Sequence, residues 1–269
     1  MDEFSNSLSA FSSAVVTGGS SGIGESFLRL LATVGGFRVV CNLSRREPDN
    51  SLDGRLRHHS CDLAEAGALA SAAKAVRRDL AAAPPGQLLV ILNSGFGAYG
   101  RFPDIEGEKQ TRLIDVNVRS VVDLAARLME PLRERGGAVL LVASTAAWQP
   151  TPWLATYGAS KAFLLQWGLA LREDLRGSGV GVTVLCPGPT RTAFFRAAEM
   201  GEAPPGTGMA DAGAVARLGM RGVARNRAVV VPGVLNKLST ALACRLPRRW
   251  QGPVAGFILK RFRNPSSNV

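Results

Sequence analysis

Aromatic side chains are scarce in this sequence, 6% of 269 residues, while Ala, Leu, Val and Gly dominate. That composition suits sheets buried between helices. No stretch is long and apolar enough to cross a membrane: the longest uncharged run, residues 136–160, is broken by Gln149, Pro150, Thr151 and Pro152. A basic-then-apolar leader is missing at the N-terminus, which opens Met1-Asp2-Glu3. The 4 cysteines, Cys41, Cys61, Cys186 and Cys244, form no CxxC pair, and most sit in apolar strand-like runs. This argues against a disulfide framework and for buried thiols in a reducing cytoplasm. The 2 histidines, His58 and His59, have no second ligand cluster, so no metal is expected. Hydrophobic residues at 46% and charged residues at 20% exclude a disordered chain, and 30 glycines without a three-residue period exclude a collagen-like one.

Acids are absent after Asp211. Residues 212–269 hold 11 Lys/Arg, leaving 21 basic and 21 acidic residues upstream, so the entire net charge of +11 belongs to the last fifth. A tail of this kind meets an anionic partner (nucleic acid, a membrane surface or an acidic carrier protein) or is simply solvated.

There is no internal repeat. Apolar runs at 13–17, 37–43, 56–60, 88–92, 138–142, 180–186 and 228–231 predict seven strands. Between them, 22–34, 64–83, 111–135 and 157–176 carry helical spacing, the second closed by Pro84-Pro85. Such alternation builds a parallel sheet with helices on both faces. The predicted fold class is α/β: a single doubly wound Rossmann domain over residues 1–233, followed by a basic amphipathic extension over 234–269. In the extension Val234, Leu235, Leu238, Leu242 and Leu246 form one stripe, and Val254, Phe257, Ile258 and Phe262 another.

The first strand runs into Thr17-Gly18-Gly19-Ser20-Ser21-Gly22-Ile23-Gly24, where a helix starts. A Gly-rich turn of this kind lets the backbone approach a pyrophosphate seated on the free N–H groups of the helix N-terminus. A tight strand-to-helix turn without a ligand uses the same residues. About twenty residues further on, at the end of the second strand, a dinucleotide-binding fold places the residue that reads the adenosine ribose. Here stand Ser44, Arg45 and Arg46, with no acid before Glu47. A guanidinium grips a phosphate bidentately and a carboxylate repels it, so NADP(H) is expected over NAD(H).

Tyr157 and Lys161 are four apart and share one helix face. An ammonium there stabilises a phenolate and lowers a Tyr pKa from its usual value of about 10. A hydroxyl such as Ser144 can hydrogen-bond a substrate oxygen. Together they suit reduction of a carbonyl, in which hydride reaches carbon and Tyr157 supplies the proton to oxygen.

In this order and spacing the constellation resembles the short-chain dehydrogenase/reductase family over nearly the whole chain. The motifs are Thr17-Gly18-x3-Gly22-x-Gly24, Asp62-Leu63, Asn93-Ser94-Gly95, Asn117, Ser144, Tyr157-x3-Lys161, and Pro187-Gly188 with Thr192. The resemblance implies that Tyr157 is the general acid/base and that Lys161 holds the nicotinamide ribose and tunes Tyr157. Ser144 would orient the carbonyl, and Asn117 would hold a water linking Lys161 to solvent. It also implies nucleotide contacts from Gly18, Ser20, Ser21, Gly22, Ile23 and Gly24. Further contacts would come from Ser44, Arg45 and Arg46, from Asp62 and Leu63 beside the adenine, and from Asn93, Ser94 and Gly95. Pro187, Gly188, Thr190 and Thr192 would flank the nicotinamide. Asn93-Ser94-Gly95 departs from the family's usual Asn-Ala-Gly by one hydroxyl. Residues 96–100 and the tail motifs Val230-Val231-Pro232-Gly233, Asn236 and Leu246-Pro247-Arg248 resemble a subgroup of reductases for acyl or lipid-like ketones.

Residues 190–215 follow the nicotinamide motif and are expected to cover the substrate. Phe194, Phe195, Met200, Met209, Phe96, Trp148 and Trp153 are candidate apolar walls, with ordinary packing as the plain alternative. The expected function is NADPH-dependent reduction of an apolar or lipid-like ketone or aldehyde, or the reverse oxidation, in the cytoplasm. The alternative is a catalytically idle NADP(H)-binding protein acting through its tail. The resemblance implies a homodimer or tetramer built through the helices at 111–135 and 157–176. The tail is expected to pack on the body or on a second subunit, with peripheral membrane contact as the alternative. No recognition motif points to nucleic acid.

Overall fold

A computed structural model describes residues 7–34, 36–49, 52–200 and 208–260. Residues 201–207 of the expected substrate segment, and Arg261, Phe262 and Arg263 of the tail, lie outside the described residues.

Seven parallel strands form one sheet in the order β3-β2-β1-β4-β5-β6-β7. They are β1 Phe11–Thr17, β2 Val39–Ser44, β3 Leu56–Ser60, β4 Gln87–Leu92, β5 Gly137–Val142, β6 Val180–Leu185 and β7 Val229–Val230. The central strands are near-continuous apolar runs because both faces are covered. Their alternation divides the core in two. Val15, Val90, Leu141 and Val184 face one cluster, while Val16, Ile91, Leu140 and Leu185 face the other. The first cluster packs under α2 Ala66–Ala81, α4 Ser120–Arg135 and α5 Ala155–Asp174. The second packs under α1 Gly22–Thr33 and α7 Ala212–Ala224.

The helix expected at 111–135 is longer and interrupted. It starts as α3 Gly107–Ile114, passes through a π-type turn at Asp115–Arg119, and continues as α4. The chain also adds a short helix, α6 Phe194–Ala197, and two C-terminal ones, α8 Val234–Arg245 and α9 Arg248–Leu259.

The sheet order reverses between β1 and β4, so the loops leaving them part and open a crevice at the strand C-termini. Thr17 ties the two together there: its hydroxyl oxygen accepts the N–H groups of Asn93 and Ser94, each at 3.0 Å.

Of the two packings expected for the tail, on the body or on a second subunit, the C-terminal helices overturn the first for their apolar stripes. Their apolar stripes do not pack on the body: Leu235 is 81% exposed and Phe257 70%. Thr240, Ala243 and Ala255 face inward instead. A Cβ on Gly188 would sit 2.5 Å from Asn236 Nδ2, and one on Gly256 would meet Pro152 at 3.4 Å.

Candidate active site

One cleft of about 460 Å³ opens at the crevice. Its floor at one end is the glycine turn. Gly18 and Gly22 hold φ of 71° and 60°, the left-handed region that glycine adopts without steric cost. Gly24 does not border the cleft. A Cβ there would run into the Gly18 carbonyl and lie 2.6 Å from Asn93 Nδ2, so this glycine lets the start of α1 nest against the turn. Asn42, fully buried, fixes the turn by accepting the Gly19 N–H at 2.9 Å.

Asn42 also orders the next wall. Its amide donates to Ser44 Oγ at 2.8 Å, and the Ser44 hydroxyl donates to the Arg46 carbonyl at 2.6 Å. The turn after β2 is thereby shaped so that Arg45 and Arg46 stand exposed on the lip of the cleft. Across from them Asp62 pairs with Arg112. Burial pushes the Asp62 carboxyl up, but the Ala64 N–H, Arg112 and Arg45 together hold it below the usual carboxylate range. Arg112 is a lining residue that sequence reasoning missed, because the pair spans 50 positions and leaves no local pattern.

At the far end Ser144, Tyr157 and Lys161 meet. Ser144 lies two residues beyond β5, accepts the Ala146 N–H at 3.1 Å, and caps a short turn, Thr145–Trp148. Tyr157 and Lys161 rise from the first turns of α5, 9% and 3% exposed. The Tyr157 ring packs on Phe194 with centroids 5.1 Å apart. Burial pushes the Tyr157 phenol up to about 12, against an opposing hydrogen bond with Ser144. The expected lowering by Lys161 is not what this arrangement produces. The Lys161 Nζ donates to the Val142 carbonyl at 2.9 Å and lies 5.8 Å from the Tyr157 ring centroid. Burial holds Lys161 itself down at about 8. Desolvation, not Coulomb attraction, dominates both groups.

Asn117 stands behind the cleft, fully buried in the π-type turn. Its amide accepts the Phe96 N–H at 3.1 Å and donates to the Phe96 carbonyl and Ser160 Oγ at 3.0 and 3.1 Å. It clamps the loop after β4 to α5. A Cβ on Gly95 would lie 3.1 Å from both Asn117 Oδ1 and Lys161 Nζ, so Gly95 keeps that approach open.

The remaining expected nucleotide residues, Ser20, Ser21, Ile23, Leu63, Ser94, Pro187, Thr190 and Thr192 among them, border the same cleft. Of the candidate apolar walls, Phe96, Phe194, Phe195 and Met200 line it. Trp148 packs on the core instead, and Trp153 stacks on Tyr99. Met209 is not a lining residue. Leu259, the last residue of α9, is one, and nothing in its sequence neighbourhood signals that. The structure also joins residues the sequence left apart: Cys41 Sγ, His59 Nε2 and an Asp79 oxygen lie within 4.8 Å of one another. His59 and Asp79 bond at 2.8 Å, and burial pushes the Cys41 thiol up to about 12, a protonated donor to Asp79. The group links β2 and β3 to α2.

A cradle that only glycine permits, a ribose-side lip with two arginines and a buried Tyr/Lys pair share one crevice at a topological switch point. The residues present fit a dinucleotide cofactor. The sequence profile of the family described as short chain dehydrogenase matches residues 12–203. The probable oxidoreductase EphD of Mycobacterium tuberculosis is 30% identical over 200 residues, 71% of this chain and 33% of that one. The chain therefore spans about a third of that relative's length. Bovine dehydrogenase/reductase SDR family member 4 is 30% identical over 190 residues, covering 68% of this chain and 67% of that one. A short-chain dehydrogenase from Sphingobium yanoikuyae, solved in complex with NADPH, has the same fold, with a TM-score of 0.73 at 24% identity over 88% of this chain and 97% of that one. The chain belongs to the short-chain dehydrogenase/reductase family, whose NAD(P)-dependent oxidoreductases act on CH–OH and C=O groups.

Proposed function

We propose that this chain reduces an apolar or lipid-like ketone or aldehyde with NADPH, residues 1–233 forming the binding and catalytic unit. The observation that carries the reading is the convergence of Ser144, Tyr157 and Lys161 at one end of a cleft whose other end is lined by Ser44, Arg45 and Arg46. The turn at 18–23 holds the pyrophosphate, and Arg45 and Arg46 grip the 2′-phosphate. When bound, the reduced nicotinamide supplies a hydride equivalent to the carbonyl carbon.

The chain's own residues handle the oxygen. Ser144 Oγ hydrogen-bonds the carbonyl oxygen and fixes its position beside Tyr157. The Tyr157 phenol carries its proton at neutral pH, as any tyrosine does, and is placed to give it to the carbonyl oxygen. Lys161, one helical turn from Tyr157, holds the nicotinamide ribose, and Asn117 clamps the loop after β4 to α5, which carries Tyr157 and Lys161. Phe96, Phe194, Phe195 and Met200 exclude water around the substrate and favour an apolar one. Assembly as a homodimer or tetramer through α4 and α5 belongs to the same reading, supported by the partly exposed Phe163 stacked on Trp167 along α5.

Tyr157→Phe tests the mechanism. It keeps NADPH affinity and loses turnover on a panel of ketones by about 10²–10⁴-fold. Turnover that survives the substitution removes Tyr157 from the role of acid.

A further inference from the structure

We propose that the outer face of α8 and α9 docks on an anionic lipid bilayer. An amphipathic helix covering a globular core turns its apolar stripe inward. Here the pair is inverted. Val234, Leu235, Leu238 and Leu242 of α8 are 61–81% exposed, and Trp250, Val254, Phe257 and Ile258 of α9 are 43–70% exposed. Eight of the twelve strongly exposed large apolar side chains among the described residues lie on these two helices. Such a concentration marks an interaction surface, not scattered surface hydrophobes.

Charge selects the partner. Lys237, Arg245, Arg248, Arg249 and Lys260 are exposed on or beside the same helices, and no acid occurs from residue 212 onward. A second copy paired about a two-fold axis would set these cations against their own equivalents. A nucleic acid would satisfy the cations and leave the leucines and phenylalanine in water. An anionic bilayer satisfies both: apolar side chains enter the acyl boundary and Lys/Arg meet the headgroups. Trp250, with the Arg249 guanidinium 6.0 Å from its ring, is the amphipathic residue such an interface favours. Among the described residues no helix is long and apolar enough to span, so the contact is peripheral.

The docking face adjoins the cleft. Leu259 closes α9 and lines the cleft, and Tyr99 Oη donates to its carbonyl at 3.3 Å. Docking therefore brings the cleft wall to the lipid surface. Delivery of an apolar carbonyl from that surface rests on the reductase reading; the docking itself does not.

The test is sedimentation of the full chain with sucrose-loaded vesicles, of phosphatidylcholine alone and of an equimolar phosphatidylcholine–phosphatidylglycerol mixture. The protein is expected to pellet with the mixed vesicles and to be released by high salt. Leu238→Glu/Phe257→Glu should lower the bound fraction at least about tenfold, as should Arg248→Glu/Arg249→Glu, which alters exposed charges alone and covers the case where the first pair fails to fold. Three results overturn the proposal: no binding to mixed vesicles, equal binding to phosphatidylcholine alone, or unchanged binding by a folded variant. A dimer that Leu238→Glu/Phe257→Glu splits, without vesicle binding by the parent, assigns the face to a second copy instead.

Discussion

Lys161→Met should stabilise the nucleotide-free protein at neutral pH, and the advantage should vanish in alkali. Lys161 is 3% exposed and, among the described residues, its ammonium donates to the Val142 carbonyl alone. Burial moves its pKa from the ordinary 10.5 to about 8. At about 1.4 kcal/mol per unit, that gap is a native-state penalty of roughly 3 kcal/mol. Below pH 8 the folded and unfolded states both carry the proton, and the penalty is complete. Between pH 8 and 10.5 the folded state is neutral while the unfolded chain is still charged, so parental stability rises with pH. Above that window nothing remains. Methionine has no proton to lose and fills the same channel with a flexible apolar chain. Tyr157, pushed up to about 12, works in the opposite direction above pH 10 but is present in both proteins and cancels. Urea unfolding followed by circular dichroism, from pH 6.5 to 10, gives the difference directly. A gap between variant and parent that stays flat across the window, or widens with pH, refutes the desolvation argument whatever its absolute offset.

Arg45→Ala/Arg46→Ala should weaken NADPH by about 10- to 100-fold in calorimetric titration and leave NADH nearly unchanged, since only the 2′-phosphate loses charge-assisted bonds. An equal loss for both nucleotides means that these arginines do not read the phosphate. Gly24→Ala should cost about 1–3 kcal/mol, because its Cβ runs into the Gly18 carbonyl, a backbone atom that cannot swing aside. Gly67→Ala, on α2 with nothing within 4 Å of the added Cβ, should gain up to about 1 kcal/mol from helix propensity. Thermal unfolding separates the two, and a shared sign would contradict the packing account.

Much of the fold was legible because a parallel sheet covered on both faces writes itself as unbroken apolar runs: β4, β5 and β6 are nearly pure Val, Leu, Ile and small residues. The positions of the chemistry-bearing groups were legible for a related reason, since strand ends and first helical turns fix them within a few residues of a local motif. Periodicity could not supply direction. The stripes of α8 and α9 are real, but spacing says only that Leu235, Leu238 and Leu242 share a face, not that the face looks outward. Nor could it supply burial. Four-residue spacing puts Lys161 near Tyr157, yet the sign of each shift depends on how much water the walls exclude. Contacts between distant segments leave no trace at all, as with Arg112 on Asp62 or Tyr99 on Leu259.

The extension cannot be treated as a detachable appendix, and that constrains how its role can be separated from catalysis. Asn236 at the start of α8 donates to the Pro232 carbonyl at 2.7 Å and fills the space a side chain at Gly188 would need. Leu259 at the end of α9 supplies part of the cleft wall. The inward faces of both helices thus shape the site while the outward faces meet something else. Deleting residues 234–269 would remove the support beneath Pro187-Gly188 and the wall together, so lost turnover in a truncated chain would say nothing about docking. Outward substitutions act on one face alone. Leu238 and Phe257 touch neither the cleft nor Gly188. A change there that alters vesicle binding while a water-soluble ketone is still reduced would assign the two faces of the same helices to two different tasks.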